Sequence, residues 1–394
     1  MTEPNHRFNR RRLLKASGAA GILATTQITS VAPALADQST PTPLPSAVKS
    51  TITEMMRAKQ IPGASILIER EGSAPWKQGF GVSDLETGTP MLSNMHMRVG
   101  SITKTMTATA VLQLVDEGLL SLDDTLASVM PEISAFPNGK SMTIRQMLNM
   151  RSGAFNYLED ESIFMQMVTD PTRPWTPDEL IDINLLHEPY FDPGEGFHYS
   201  NTNYILLGMI VEQLAHQSLA EFLDERVFAP LGMMHTSLPD DVQLPAPFAR
   251  GYGIEIAPTS ATPAANGADG LKDWTKIHPT MAGASGGIVS TVGDLAVWLH
   301  ELVDGTLLSE TMQEERMTFT PVEGGPGFSY GLGIADFGGM VGHDGSIFGY
   351  QGFAARDRET GTSIVVLINV SPSPTDASAA ALAMAIREAL GEAT

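Results

Sequence analysis

The chain has 394 residues, 42% hydrophobic and 18% charged. That is enough apolar content for a large buried core in one or two folding units, and it excludes a disordered polymer. The net charge of −21 repels nucleic acid and anionic membranes, and the absence of cysteine excludes disulfides, thiol chemistry and Cys-ligated metals.

Residues 1–36 read as an address rather than as structure. Arg10-Arg11-Arg12-Leu13-Leu14-Lys15 is a twin-arginine pattern, a weakly apolar stretch runs from Ala16 to about Ala24, and Ala34-Leu35-Ala36 is a small-x-small cleavage site. The apolar run is too short to cross a bilayer, which takes about 20 residues. The expectation is a cleaved Tat-type signal, a periplasmic or secreted product and no stable membrane anchor afterwards. Glu3 against Arg7, Arg10, Arg11, Arg12 and Lys15 gives this segment a positive charge, so the remainder is more acidic than the whole.

Residues 37–46 are a Pro/Ser/Thr linker, and the folded domain is expected over 47–394. Val48 to Met56 has helical spacing. Ala64 to Glu69 and Gln78 to Val82 read as strands of a short antiparallel meander, with a polar turn over Asp84 to Pro90. Met97 to Val99 is a short apolar strand end, followed by Gly100-Ser101 and a helical pattern from Ile102 to Glu117. There Ile102, Met106, Ala110 and Leu114 share one face and Gly118 stands at the C-cap.

From about 119 to 305 the chain reads as mainly helical, with helices at Thr143–Met150, Pro177–Leu186, Ser200–His216, Leu219–Phe228 and Val292–Leu302, and a small-residue loop from Ala257 to Gly270. Strands return at Ser329–Ala335, Gly349–Arg356 and Ser363–Val370, before a last helix from about Asp376 to Leu390. The expected fold class is therefore α/β (α+β): an antiparallel sheet flanked by helices, built from about 47–118 and 306–394, with an inserted helical part over about 119–305.

Three short elements carry chemistry. Ser101-Ile102-Thr103-Lys104 is an S-x-x-K; on a helix, positions three apart share a face, so the amine reaches the hydroxyl. At a helix amino end, unpaired N–H groups favour the negative charge of an alkoxide, and a dry pocket lowers the lysine pKa. A second S-x-x-K, Ser46 to Lys49, lies in the linker at the start of an exposed-looking helix and lacks that setting. Tyr199-Ser200-Asn201 is the sole Y-x-N and His343-Asp344-Gly345 the sole H-x-G. Each of these, taken singly, is weak; together and in this order they are specific.

At this point the chain resembles the serine DD-carboxypeptidases, class C β-lactamases and related esterases and D-aminopeptidases. The likeness extends to "MRVGSITKTMTATAVLQLVDEGLLSLDD", "YSNTNYILLGMIVEQL", "SGGIVSTVGDLAVW", "SYGLGI" and "GHDGSIFGYQGF", covers roughly residues 46–370, and looks nearest to the DD-carboxypeptidase branch. The resemblance implies a β-lactamase/transpeptidase-like fold and a Ser101 acyl-enzyme. Lys104 is then the base or proton store beside it, and Tyr199 shuttles a proton to the leaving group. Asn201 binds the acyl amide and orients Lys104. His343 stands in for the lysine of a K-T-G element and supports the Tyr199 hydroxyl. The backbone N–H groups of Ser101 and Ser346, with Asp344 and Gly345 alongside, bind substrate. It implies no metal and no cofactor, and a small-molecule or peptide substrate, peptidoglycan-derived fragments included.

Two departures matter. Asp344 stands where a carboxylate-binding hydroxyl is usual, and Ala335 stands where an arginine often follows the Tyr-Gly-Leu-Gly segment. Both remove anion recognition, which points away from D-Ala-D-Ala cleavage and toward a neutral ester or amide, or a substrate with a free amine.

Gly283-Ala284-Ser285-Gly286-Gly287 matches the G-x-S-x-G nucleophile elbow, but no strand leads directly into it and β-branched residues follow; a small-residue segment under the active-site floor is the expectation. The nine histidines are dispersed without metal-binding spacing. The alternative to an enzyme is a non-catalytic periplasmic binding protein on a hydrolase scaffold, and intact Ser101, Lys104, Tyr199 and His343 argue against it.

Overall fold

The computed structural model describes residues 44–256, 270–325 and 327–391. The expected signal, most of the linker and residues 257–269 of the small-residue loop lie outside the described residues. Strands are numbered in chain order: β1 Gly63–Glu69, β2 Trp76–Asp84, β3 Thr89–Pro90, β4 Met97–Arg98, β5 Tyr252–Ile254, β6 Leu271–Asp273, β7 Val289–Ser290, β8 Thr320–Pro321, β9 Phe328–Tyr330, β10 Ala335–Phe337, β11 Met340–Ile347, β12 Tyr350–Asp357 and β13 Ser363–Ile368.

Nine of these form one sheet in the order β3-β2-β1-β13-β12-β11-β10-β9-β8, every pairing antiparallel. Its centre is apolar on both faces because it is covered on both. Ile364, Val366 and Ile368 of β13 point to one core with Val48, Ile52, Leu382 and Ile386, which come from helices Ser46–Ala58 and Ala379–Ala389. Val365 and Leu367, between them in sequence, point to the larger core on the other side, where helix Val292–Asp304 packs. The period-2 alternation of a strand thus feeds two cores at once. Each fully buried Val, Ile or Leu contributes about 1.5–3 kcal/mol.

The segment between β4 and β8 is mainly helical and carries the two helices that matter for chemistry, Thr103–Asp116 and Asn201–Ala215, packed against each other. The first is the buried helix expected after Ser101, and its burial is complete over residues 103–114. Its threonines lie on two opposite sides, Thr103 and Thr107 on one and Thr105 and Thr109 on the other, and they meet partners instead of water. Thr107 donates to the Ala284 carbonyl at 2.8 Å, Thr103 accepts from the Ile288 amide at 3.1 Å, and Thr105 accepts from the Trp298 indole at 2.7 Å. Burying hydroxyls is tolerable only when they are hydrogen-bonded in this way. Gly118 follows the helix at φ +72°, the left-handed stop expected of it.

Two strand expectations change. The Ser329–Ala335 run is not one strand but the two arms of a hairpin, β9 and β10, because Gly331 to Ile334 form the turn between them. The residues around His343 form an eight-residue strand, β11, the longest neighbour of β12. Three glycines within or beside it (Gly339, Gly342, Gly345) had masked the strand signal.

Candidate active site

The chain leaves β4, passes Gly100 at φ +55°, makes one 3-10 turn over Gly100–Ile102 and enters helix Thr103–Asp116. Ser101 sits on that 3-10 turn. A side chain at Gly100 would place its Cβ 2.6 Å from the Ser346 amide nitrogen, and one at Gly345 would stand 2.0 Å from the Val99 carbonyl oxygen and 2.8 Å from the Ser101 amide nitrogen. Two bare backbones therefore let the turn lie flat against β11. That close approach brings the Ser101 and Ser346 amides into one small volume.

Lys104 is fully buried. Its Nζ lies 3.0 Å from Ser101 Oγ, 2.7 Å from Asn201 Oδ1 and 2.8 Å from the Ser285 carbonyl oxygen. Burial pushes its pKa well below the ordinary lysine value, with the Asp344 charge opposing that fall. A neutral amine has two hydrogens and one lone pair. Asn201 Oδ1 and the Ser285 carbonyl can only accept, so they take the two hydrogens, and the lone pair faces the Ser101 hydroxyl. The arrangement can therefore take a proton from Ser101.

Asn201 opens helix Asn201–Ala215. Its amide is oriented by Asn156, whose Oδ1 accepts from both the Asn201 backbone N–H and Nδ2 at 3.2 Å each. Asn156 in turn donates to Glu159, which accepts from the Tyr190 hydroxyl. The relay fixes the flip of the Asn201 amide so that oxygen, not nitrogen, meets Lys104.

The Tyr199 ring lies with its centroid 4.8 Å from Lys104 Nζ. Its buried hydroxyl makes no hydrogen bond, although Ser101 is near enough to lower its pKa; burial outweighs that and raises the pKa well above the ordinary phenol value. Tyr199 is thus a phenol with its proton in place. His343 projects inward from β11, 2% exposed; its Nε2 is 2.9 Å from the Tyr330 hydroxyl and its Nδ1 faces the Asp344 backbone carbonyl. Burial pulls the imidazole pKa below its ordinary value; the Asp344 carboxylate pushes up and Lys104 pushes down. Asp344 and Ser346 lie on the opposite, exposed face of the pleat.

Beside Ser101 opens a cavity of about 460 Å3, lined by Leu158, Phe164, Met167, Met281, Ile347 and Phe348 together with Asn201, Ser285 and Ser346. Phe348 rests against Trp274, ring centroids 4.8 Å apart. No charged side chain is among the described residues that line it. Ala335 is buried in β10, paired with Gly342 and Tyr330.

The family model described as Beta-lactamase matches residues 48–389. The chain belongs to the β-lactamase family. It is a serine hydrolase of that family, and its sheet-and-helix architecture is the β-lactamase/transpeptidase fold. It is similar to the D-amino acid amidase of Ochrobactrum anthropi SV3, solved with L-phenylalanine, at 27% identity and TM-score 0.78 over 88% of this chain and 99% of that one. It is also similar to a D-stereospecific amidohydrolase from Streptomyces sp. at 29% identity and TM-score 0.76 over 88% and 98%. Among curated relatives, Protein flp of Staphylococcus aureus (strain MW2) is 31% identical over 195 residues, 48% of this chain and 37% of that protein, so the match spans well under half of the relative's length.

Within this β-lactamase-family site, Ser101, Lys104, Asn201 and Tyr199 come together, and His343 stands next to Tyr199 with ring centroids 6.2 Å apart without bonding to it. The second S-x-x-K is elsewhere, with Ser46 and Lys49 exposed on the first helix. Ser285 is buried in a one-turn helix, Gly283–Gly286, and its hydroxyl donates to the Ala282 carbonyl at 2.6 Å, while its own carbonyl holds Lys104. Three contributors escaped the motif reading: Asn156, the Ser285 carbonyl and Tyr330. A backbone carbonyl leaves no trace in a sequence, although Ser285 and Tyr330 both lay inside quoted blocks, and Asn156 lay outside them all.

Proposed function

We propose that the protein hydrolyses small amides or esters with an apolar acyl portion, including amides of apolar D-amino acids, through an acyl-enzyme on Ser101. The observation that carries this is the Ser101–Lys104 contact of 3.0 Å opening onto a cavity with apolar walls and no charged side chain among the described lining residues. Ser101 Oγ attacks the carbonyl carbon as its proton passes to Lys104. The Ser101 and Ser346 amides stabilise the oxyanion, and the bond to nitrogen or oxygen breaks as the leaving group takes the Tyr199 proton. Lys104 returns its proton to Tyr199, and water then adds to the acyl ester and releases acid and free Ser101. Asn201 orients Lys104, and Gly345 permits the close approach of the strand.

The D-amide reading is supported by the D-amino acid amidase and D-stereospecific amidohydrolase among the similar structures. It is preferred to DD-carboxypeptidase chemistry because no cation among the described lining residues would receive a terminal carboxylate. Asp344 does not line the cavity, but its charge reaches Lys104 and Tyr199 and suits a substrate ammonium. The twin-arginine pattern and the Ala34-Leu35-Ala36 site support export to the periplasm or medium.

The test is intact mass after exposure to a fluorophosphonate probe and, separately, to a penicillin, on wild type and Ser101→Ala. An adduct on the wild type alone supports the reading, and no adduct on folded wild type overturns it. With p-nitrophenyl esters, kcat/KM should rise about fourfold per added acyl methylene until the cavity is full.

A further inference from the structure

We propose that Tyr330 is a positioning residue that locks His343 as a neutral imidazole in its Nδ1–H tautomer, so that the third sequence element delivers no positive charge to Tyr199. The inference rests on the Ser101 acyl-enzyme reading for its catalytic meaning, but not for its geometry. A carbonyl oxygen only accepts, so the Nδ1 that faces the Asp344 carbonyl carries the hydrogen. In a neutral ring Nε2 is then a bare acceptor, and the Tyr330 hydroxyl 2.9 Å away donates to it. Both partners are 2% exposed, and their rings meet edge to face at 90°, which holds the donor in line.

The charged and titratable groups around the ring are few. On its own strand the Asp344 carboxylate lies 3.6 Å from Nδ1 and is half exposed. On the nucleophile helix Lys104 opposes protonation of the ring whenever it carries a proton itself. Ahead of helix Asn201–Ala215 stands Tyr199, and on β9 Tyr330; behind it, on that helix, stands Tyr204, whose hydroxyl also meets that of Tyr330 while donating its own hydrogen to the Leu148 carbonyl. Across the sheet the partner of His343 is Ala354, an apolar residue. An exposed carboxylate is screened by water and does not offset complete burial of the ring.

Both ring nitrogens are therefore engaged away from Tyr199, whose hydroxyl is turned toward Ser101 and makes no hydrogen bond to the His343 ring. A lysine at position 343 would present a cation to that phenol and favour tyrosinate; the locked imidazole does not. Tyr199 keeps its proton and serves as the acid toward the leaving group, which leaves Lys104 as the group that receives the Ser101 proton.

The experiment is a long-range 1H–15N correlation spectrum of the full chain, with the His343 ring assigned by its loss in His343→Gln. At pH 7 the wild type should show a protonated Nδ1 and an unprotonated Nε2, unchanged down to about pH 6, where a free histidine is already charging. In Tyr330→Phe, checked for folding by its melting curve, the Nε2 resonance should move toward the unbonded position and kcat should fall about tenfold, with KM within about twofold. A protonated Nε2 at pH 7, or a Tyr330→Phe protein with both resonance and kcat unmoved, overturns the proposal. If Tyr330→Phe does not fold, the wild-type spectrum alone decides. That spectrum does not depend on Ser101 being acylated, so failure of the functional reading is separately visible in the mass experiment.

Discussion

The Lys104 amine is held 2.8 Å from the backbone carbonyl of Ser285, a residue whose hydroxyl is turned away and bonded to Ala282. A carbonyl at this position does two things. It fixes the direction of the lysine lone pair, and it leaves that direction independent of which side chain residue 285 carries. Ser285→Ala should therefore keep kcat within about threefold. Lys104→Arg, whose guanidinium stays protonated and cannot act as a base, should lower the acylation rate about 10^3-fold. Rapid-quench measurement of probe labelling separates the two; comparable losses in both variants would contradict this role for the carbonyl.

Asp344 raises the Lys104 pKa that burial depresses. Removing its charge in Asp344→Asn lowers that pKa further. The unprotonated amine then forms at lower pH, so the acid limb of the kcat/KM profile should move toward lower pH. The same variant should gain on a free-carboxylate D-Ala-D-Ala peptide relative to its amide, because a repelling charge near Lys104 is gone. A limb that does not move would place Asp344 outside the electrostatics of the site, and one that moves upward would contradict the sign argued here.

Gly100→Ala combines a left-handed backbone with a Cβ 2.6 Å from the Ser346 nitrogen. We expect a loss of about 1–3 kcal/mol in stability, read as a lower urea midpoint at an unchanged slope. Labelling at Ser101 should fall by at least about tenfold, because the turn must back away from β11. Gly72→Ala is the control: it too has a positive φ, but nothing stands within 4 Å of its Cβ, so it should cost less stability and leave labelling untouched.

The strong signals in the sequence were those set by local periodicity. The β1 and β13 runs and the helix pattern after Ser101 were readable because period and burial agree there. The order of S-x-x-K, Y-x-N and H-x-G was readable because reactive residue types are rare and their spacing is constrained. The β9–β10 hairpin and β11 were not, since turn and strand residues there are glycine-rich and the strand is recognised by its neighbours rather than by its own composition. The partners of the buried threonines of helix Thr103–Asp116 were not readable either: Thr107 is satisfied by Ala284, 177 positions away. Asn156 escaped because an asparagine in a loop carries no mark of the Asn201 amide it will orient.

The close approach of Gly100 and Gly345 has an evolutionary corollary. The spacing of nucleophile and amide donors is set by main chain against main chain, with no rotamer in between, whereas the cavity is walled by Leu158, Phe164, Met167, Ile347 and Phe348. Reaction and selectivity are inherited on separate parts of the molecule. Exchange of the wall residues can alter which substrate fits while the reacting atoms keep their places, whereas a side chain at either glycine would press on the backbone that holds the nucleophile.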